Sequence, residues 1–411
     1  MITAKQNTAI QEKRESISIW MNKNFVILFI TGSILAFGSK VYELALPLIL
    51  YELTQSSVIM STMRGIEFLP NLLLAMFIGV IVDRVNKKRW SLMAIVFQII
   101  VLFMLFILIQ FGNHNLILFY ISGFMLMTCS YAYYNAQASI VKQVLPTQLL
   151  TSANASFSFV HKFVGIMGPA ITGFILLLSD LHYGLLITST AFSFAFFLLL
   201  FLDSKELVKK RKSNFWEDLK AGWKELRRNK PLWLITILVI FSNSTIGMVD
   251  TMVIFFAKDE LKLDSSQLGI VLSCAGIGGL VGSSIVSYIR KKFSLGFILG
   301  VSTLLTGLAY FVLFMTENIW LLGVGLFLEG LFGIIGTICI WSYRQETTPQ
   351  QFIGRISGIT GSIFKLGMPF AIFASGWIAE WYDPSTVFLL AFILNIFIFI
   401  WVRKSPLWKV A

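Results

Sequence analysis

The chain predicts an all-α membrane protein of twelve transmembrane helices, arranged as two six-helix pseudo-repeats. Composition, the spacing of apolar runs and the placement of charge predict it. Of 411 residues, 56% are hydrophobic and 15% aromatic, and the mean hydropathy is +0.79, too apolar for a soluble domain. Runs near the ~20 residues that cross a bilayer recur at 24–51, 57–82, 90–111, 116–143, 150–178, 185–202, 231–257, 266–289, 294–315, 319–343, 355–379 and 385–402. None alternates with the period of two that barrel strands need. With Met1 inside, 27 of the 33 Lys and Arg fall on the inner side, only Lys258 and Lys262 fall outside, and Lys40, Arg64, Lys162 and Lys365 lie within spans. That asymmetry places both termini in the cytoplasm, and it makes nucleic-acid binding an unnecessary explanation of the net charge of +12.

Taken in order, residues 1–23 form a cytoplasmic tail without the apolar core or cleavage site of a signal peptide. A six-helix bundle is expected over 24–202 and a second over 231–403, with a short tail at 404–411. Between the bundles, 203–230 carries ten basic and five acidic residues. Within it Phe215, Trp216, Leu219, Trp223 and Leu226 recur at helical spacing, which predicts an amphipathic helix on the inner leaflet or a solvated linker helix. The halves resemble each other. Pro146 leads into span 5 as Pro349 leads into span 11, and Gly168-Pro169 finds its counterpart in Gly367-Met-Pro369. Parallel repeats of this kind suit two bundles rocking about a central site. Cys129, Cys274 and Cys339 lie in separate spans as small packing residues, with no disulfide or metal spacing. His114, His161 and His182 sit on separate segments, and no catalytic set or phosphate-cradling loop is present, so an enzyme is not expected.

One short turn is more informative than the spans. After Gly79, span 2 ends in Asp83-Arg84, turns at Asn86, a residue type that tolerates positive φ, and enters span 3 through Lys87, Lys88 and Arg89. The pattern resembles the loop signature G-x-x-x-D-R-x-G-[RK]-[RK] of the major facilitator superfamily, with Asn86 in place of the usual Gly. The resemblance covers essentially the whole chain and implies a secondary transporter. It implies that spans 1, 4, 7 and 10 line a cavity, that 2, 5, 8 and 11 gate it, and that 3, 6, 9 and 12 face lipid. Spans 3, 6, 9 and 12 carry no formal charge, and spans 4 and 8 carry none apart from their cytoplasmic ends. The resemblance also implies a latch, in which Asp83 sits at the start of span 11 near Arg355.

Ionisable groups at membrane depth are functional candidates by default. On spans 1 and 2, Lys40, Glu43, Arg64 and Glu67 match in depth. The depths predict Glu43–Arg64 and Lys40–Glu67 contacts, and the i, i+3 spacing permits Lys40–Glu43 and Arg64–Glu67 as well. Such a network either pins the helix pair or gates and relays protons. Asp250 on span 7, seven residues after Asn243 on the same face, and Glu329 on span 10 have no base within a turn. A carboxylate without a fixed partner in a low-dielectric cavity is one that exchanges protons. Glu329 is expected to couple protons and Asp250 to line the outer cavity, unless either pairs with Lys365 or Lys162. His161, Lys162 and Lys365, on gate helices, either greet an anionic substrate or answer the acids. Tyr131, Tyr133, Tyr134 and Trp341 either stack on a ligand or pack among themselves.

Gly165, Gly168, Pro169 and Gly173 resemble the G-x-x-x-G-P-x-x-G-G antiporter motif of the same superfamily, and the glycines of span 8 suit close packing against span 5. No Arg stands in span 4, where many drug–proton antiporters of the family carry one. The run from Glu43 through Pro47 and Tyr51 to Thr54, Pro70, and the Gln-x-x-x-Pro segment ending in Gly354-Arg355 resemble bacterial exporters related to macrolide-efflux and siderophore-export proteins. What that resemblance implies is a monomeric antiporter in the bacterial cytoplasmic membrane. It would export a medium-sized organic molecule, confer drug resistance, be driven by the proton gradient and need no cofactor. Its partners would be the small-molecule substrate and membrane lipids. A lysophospholipid carrier or nutrient importer of the same fold is the alternative, and a non-transporting receptor or scaffold the alternative from another class.

Overall fold

A computed structural model describes residues 19–74, 78, 81–82, 85–112, 115–146, 149–177, 181–203, 215–349 and 352–410. The first six helices are α1 (Lys23–Thr54), α2 (Ser57–Leu73), α3 (Lys87–Gln110), α4 (Leu116–Val144), α5 (Leu150–Leu177) and α6 (Tyr183–Leu200). A linker helix (Phe215–Arg228) follows, then α7 (Lys230–Asp259), α8 (Ser265–Lys292), α9 (Leu295–Phe314) and α10 (Ile319–Thr347). The last are α11a (Ile353–Ile363), α11b (Met368–Trp381) and α12 (Pro384–Lys404), before a 3-10 turn at Pro406–Lys409. Among the described residues ten helical segments are long and apolar enough to cross a membrane; α2 and α5 are not in that set, and α11a and α11b together provide one.

Side-chain caps set most helix starts. Asn22, Ser56, Asn86, Asn115, Asn229, Ser294, Asn318 and Asp383 each accept a backbone N–H of the turn they open, and Asp264 forms a capping box with Gln267. Asn86 corrects the expectation of a left-handed turn residue. Its φ is −65°, and its side chain accepts from the Arg89 N–H at 2.8 Å. An Asn replaces Gly here because the position needs a cap, not a positive φ.

Span 11 is not one helix. The chain leaves helical geometry from Phe364 to Gly367, because Pro369 lacks the N–H that would continue the ladder, and α11b starts afresh with Pro at its first turn. Asn243 Nδ2 donates to the Phe364 carbonyl at 2.9 Å, satisfying one group freed by the break.

Residues 19–24, the linker helix and the C-terminal turn gather at one end of the molecule. Asn24 bonds the Asp203 carbonyl at 2.9 Å, and the Gly296 N–H bonds the Val410 carbonyl at 3.1 Å. We call this the tail end and the opposite one the far end. α1 packs on α5 and α6, α3 on α4 and α6, and α2 on α4; in the second half α10 packs on α8 and α9, and α12 on α7 and α9. Between halves, α2 meets α11b and α7, and α5 meets α8.

The apolar cores show where the halves join. One core includes Leu46, Leu50 and Met60 of the first half with Val253, Phe256 and Phe388 of the second. Another, with Leu232, Leu299, Val402 and Leu407, belongs to the tail-end part of the second half alone. Among the described residues the halves therefore share a core at the far end, while the tail-end core of the second half is its own. Exposed apolar side chains on α3 (Phe97, Ile100, Phe103) and α12 (Leu394, Phe397, Ile400) form the outer belt that lipid requires. The linker helix docks through Gly222 and Leu226 and leaves Trp216 and Trp223 exposed, with Arg227 held over the rings of Trp223 and Trp233.

Two glycines of α8 serve α10. A Cβ at Gly278 or Gly282 would meet the Phe327 or Leu331 carbonyl, and one at Gly330 the Ala275 carbonyl. These small residues let α8 and α10 touch backbone to backbone, and α8 packs on α5 as well.

Candidate functional site

A cavity of about 510 Å³ lies in the tail-end half. Its walls come chiefly from α7, α9, α10 and the break in α11, with Asn71 of α2 and Tyr131 of α4 closing it from the other bundle. Asn243, Lys365, Tyr131 and Trp341 all line it. Trp341 is held from behind by Arg344, whose guanidinium lies 4.0 Å from the ring centroid and donates to Thr360 Oγ1 at 2.9 Å. Tyr133, by contrast, is fully buried and not available to a ligand. Tyr134 packs edge-on against His161, centroids 5.0 Å apart.

The four charges of α1 and α2 form one cluster. Arg64 Nη2 is 2.7 Å from Glu43 Oε1 and Nη1 is 2.9 Å from Glu67 Oε2, while Lys40 Nζ is 3.3 Å from Glu43 Oε2. The expected Lys40–Glu67 pair does not form. The forked guanidinium reaches both carboxylates at once, which leaves Lys40 to its own i+3 neighbour. Glu67 keeps one buried oxygen without a partner. Gly168 of α5 lies against the Lys40 side chain, so that glycine lets α5 close on the cluster; Gly165 faces open space.

Asp250 is exposed on the opposite bundle, within electrostatic reach of Lys40, Arg64 and Glu43. Glu329 is buried, at 8% exposure, and the charge it feels is that of Asp250. Among the described residues neither acid forms an ion pair with a base. Lys365 lines the cavity without an ion pair, and Glu43 is the acid in its electrostatic range. His161 is exposed.

Several expected residues lie outside the described residues or side chains. Gly79, Asp83 and Arg84, the side chains of Lys162, Pro169 and Arg355, and the surroundings of Gly173 are among these, so the expected latch of Asp83 near Arg355 lies outside the described residues. Of the loop bases, Lys88 donates to the Leu200 and Leu202 carbonyls at 2.8 and 2.7 Å, closing the C-terminal end of α6. Lys87 is buried and Arg89 exposed. Among the described residues no group of His, Cys, Asp and Glu has metal-binding geometry.

A family model of the Major Facilitator Superfamily matches residues 28–372 and, overlapping it, 251–409. The chain belongs to that superfamily. It is therefore a multi-pass membrane transporter and not an enzyme. The transporter is 25% identical over 394 residues to YkuC, an MFS-type transporter of Bacillus subtilis (strain 168), covering 87% of this chain and 84% of that one. It is 22% identical over 400 residues to macrolide efflux protein A of Streptococcus pyogenes, covering 92% and 94%. Its fold is similar to that of the nucleoside transporter NupG, with TM-score 0.71, 14% identity and coverage of 93% and 99%. A bacterial homologue of the human lysosomal transporter Spinster gives TM-score 0.71, 12% identity and coverage of 93% and 98%.

Some residues of the transporter's site were not singled out from the sequence. Tyr42 Oη lies 2.7 Å from Ser130 Oγ, which donates to Gln98 Oε1 at 3.0 Å, a buried polar chain crossing α1, α4 and α3. In the other bundle Tyr310 and Asn395 line the cavity. A lone Gln or Asn in an otherwise apolar span was the available signal.

Proposed function

We propose that the protein is a proton-coupled antiporter that exports a medium-sized organic molecule across the bacterial cytoplasmic membrane by alternating access. Glu329, buried, without an ion pair among the described residues and with Asp250 in its electrostatic range, carries this reading. A carboxylate at membrane depth with no fixed counter-ion is expensive unless it takes up a proton. Protonation from one side and release on the other would couple the proton gradient to the rocking of the bundles. No bound cofactor is needed. The similarity to macrolide efflux protein A supports export, and the excess of Lys and Arg at the tail end supports a cytoplasmic position for that end. With that orientation the far-end seal and tail-end cavity describe an inward-facing carrier.

Glu329→Gln tests the coupling. A Gln stays neutral and hydrogen-bonding, so the variant should lose accumulation driven by a proton gradient while retaining counterflow exchange of labelled for unlabelled substrate. Accumulation equal to the wild type would rule Glu329 out as the coupling group.

A further inference from the structure

The hydrogen-bonding state of the cavity wall constrains what it can hold. Four of its hydroxyls are turned back onto the helices that carry them. Thr245 Oγ1 donates to the Ser242 carbonyl at 2.9 Å, Ser302 and Thr303 both donate to the Leu299 carbonyl at 3.1 and 2.8 Å, and Thr337 donates to the Gly333 carbonyl at 2.9 Å. Asn395 Nδ2 donates to the Ala391 carbonyl at 2.8 Å and Asn243 Nδ2, across to the break in α11, to the Phe364 carbonyl at 2.9 Å, each amide keeping a second N–H. A hydroxyl has one proton to give and two lone pairs to offer. Once the proton is committed to a helix carbonyl, the oxygen faces the cavity as an acceptor. These four oxygens therefore favour O–H or N–H donors on a ligand.

The charge on the wall is of one sign. Among the described lining residues Lys365 is the single charged side chain. It sits in the break between α11a and α11b. The acid in its electrostatic range, Glu43, is already held by Arg64 at 2.7 Å and Lys40 at 3.3 Å. A half-buried ammonium that forms no ion pair among the described residues favours an anion brought by a ligand. Trp341, exposed and with Arg344 over its ring, also lines the cavity, which suits an aromatic or planar group. The volume of about 510 Å³ falls within the range that takes drug-sized molecules.

The geometry points to a specific ligand class: an organic acid bearing several hydroxyl groups and a planar ring, with its carboxylate on Lys365, its hydroxyls on the Ser302–Thr303–Asn395 wall and its ring on Trp341. This deepens the transporter reading and rests on the cavity being the transported molecule's site. It does not depend on proton coupling or on the direction of transport.

The test uses the purified full chain in lipid nanodiscs, without any gradient, and two probes. One is chlorogenate, which carries a single carboxylate, several hydroxyls and one aromatic ring; the other is its uncharged methyl ester. Equilibrium titration should show chlorogenate binding about 10-fold or more tightly than the ester, as expected for one charge-assisted contact. Lys365→Gln should bring the two affinities within about 2-fold of each other, while Lys365→Arg should keep the preference. Thr303→Val should weaken both probes alike. Equal affinities in the wild type, a preference that survives Lys365→Gln in protein of unchanged melting temperature, or absence of binding by both probes would each overturn the assignment. Loss of the ligand class with gradient-driven transport intact would leave the antiporter reading standing. Binding without gradient-driven transport would do the reverse.

Discussion

Loosening the far-end seal should expose residues that the present state hides. Two polar contacts cross the seam there. Tyr51 Oη donates to Asp259 Oδ1 at 3.0 Å, and Ser57 Oγ donates to the Gly376 carbonyl at 2.9 Å with Glu380 Oε2 at 3.3 Å. A hydrogen bond contributes a net ~0.5–1.5 kcal/mol, and ~1.5–3 when one partner is charged. The Asp259 side chain is 34% exposed, so the lower end, about 1.5 kcal/mol, applies to Tyr51, and the Ser57 contact with the neutral Gly376 carbonyl adds about 0.5 kcal/mol. Removing both with Tyr51→Phe and Ser57→Ala should therefore shift the balance of states by about 2 kcal/mol. At 1.4 kcal/mol per factor of ten, that is about 30-fold more of the far-open form. Ser61 is fully buried in the same seam, against Gly376, and Ser61→Cys in a background lacking Cys129, Cys274 and Cys339 reports on it. Maleimide labelling of Cys at 61, limited by the open fraction, should accelerate by about 30-fold in the double variant. A rate within 2-fold of the parent would refute the claim that these contacts hold the far end shut.

Other perturbations have equally definite outcomes. Arg64→Gln leaves the buried Glu67 and Glu43 without their shared counter-ion and should cost about 3–5 kcal/mol, read as a lowered melting temperature in nanodiscs; adding Glu67→Gln should recover part of it. Gly330→Val drives a side chain into the Ala275 carbonyl, and overpacking of about 1–3 kcal/mol should lower the melting temperature too. Lys88→Met removes both bonds to the carbonyls that end α6 and should destabilise by about 1–2 kcal/mol, visible as faster amide exchange at residues 198–202.

The spans were legible because membrane insertion demands length and apolarity, and both are local properties of sequence. The same is true of the charge cluster, since helix depth alone brought Glu43 opposite Arg64. Partner choice inside the cluster was not, because it turns on the reach of one guanidinium: Lys40 and Glu67 match in depth yet stay apart. The break in α11 had its sign in Gly367 and Pro369, but a proline in a membrane helix either breaks or survives, as Pro47 does inside α1, and tertiary partners such as Asn243 decide. The cavity's acceptor character was hidden for a related reason. A Ser or Thr in a sequence does not say where its proton points.

As proposed above, this superfamily member moves an organic molecule out of the cell at the expense of the proton gradient. Inside-out vesicles from cells overproducing the protein test it most directly, with uptake of a macrolide and a catecholate siderophore followed with and without a protonophore. The account predicts uptake above control vesicles that collapses when the protonophore is added. Uptake that persists unchanged without the gradient would contradict it.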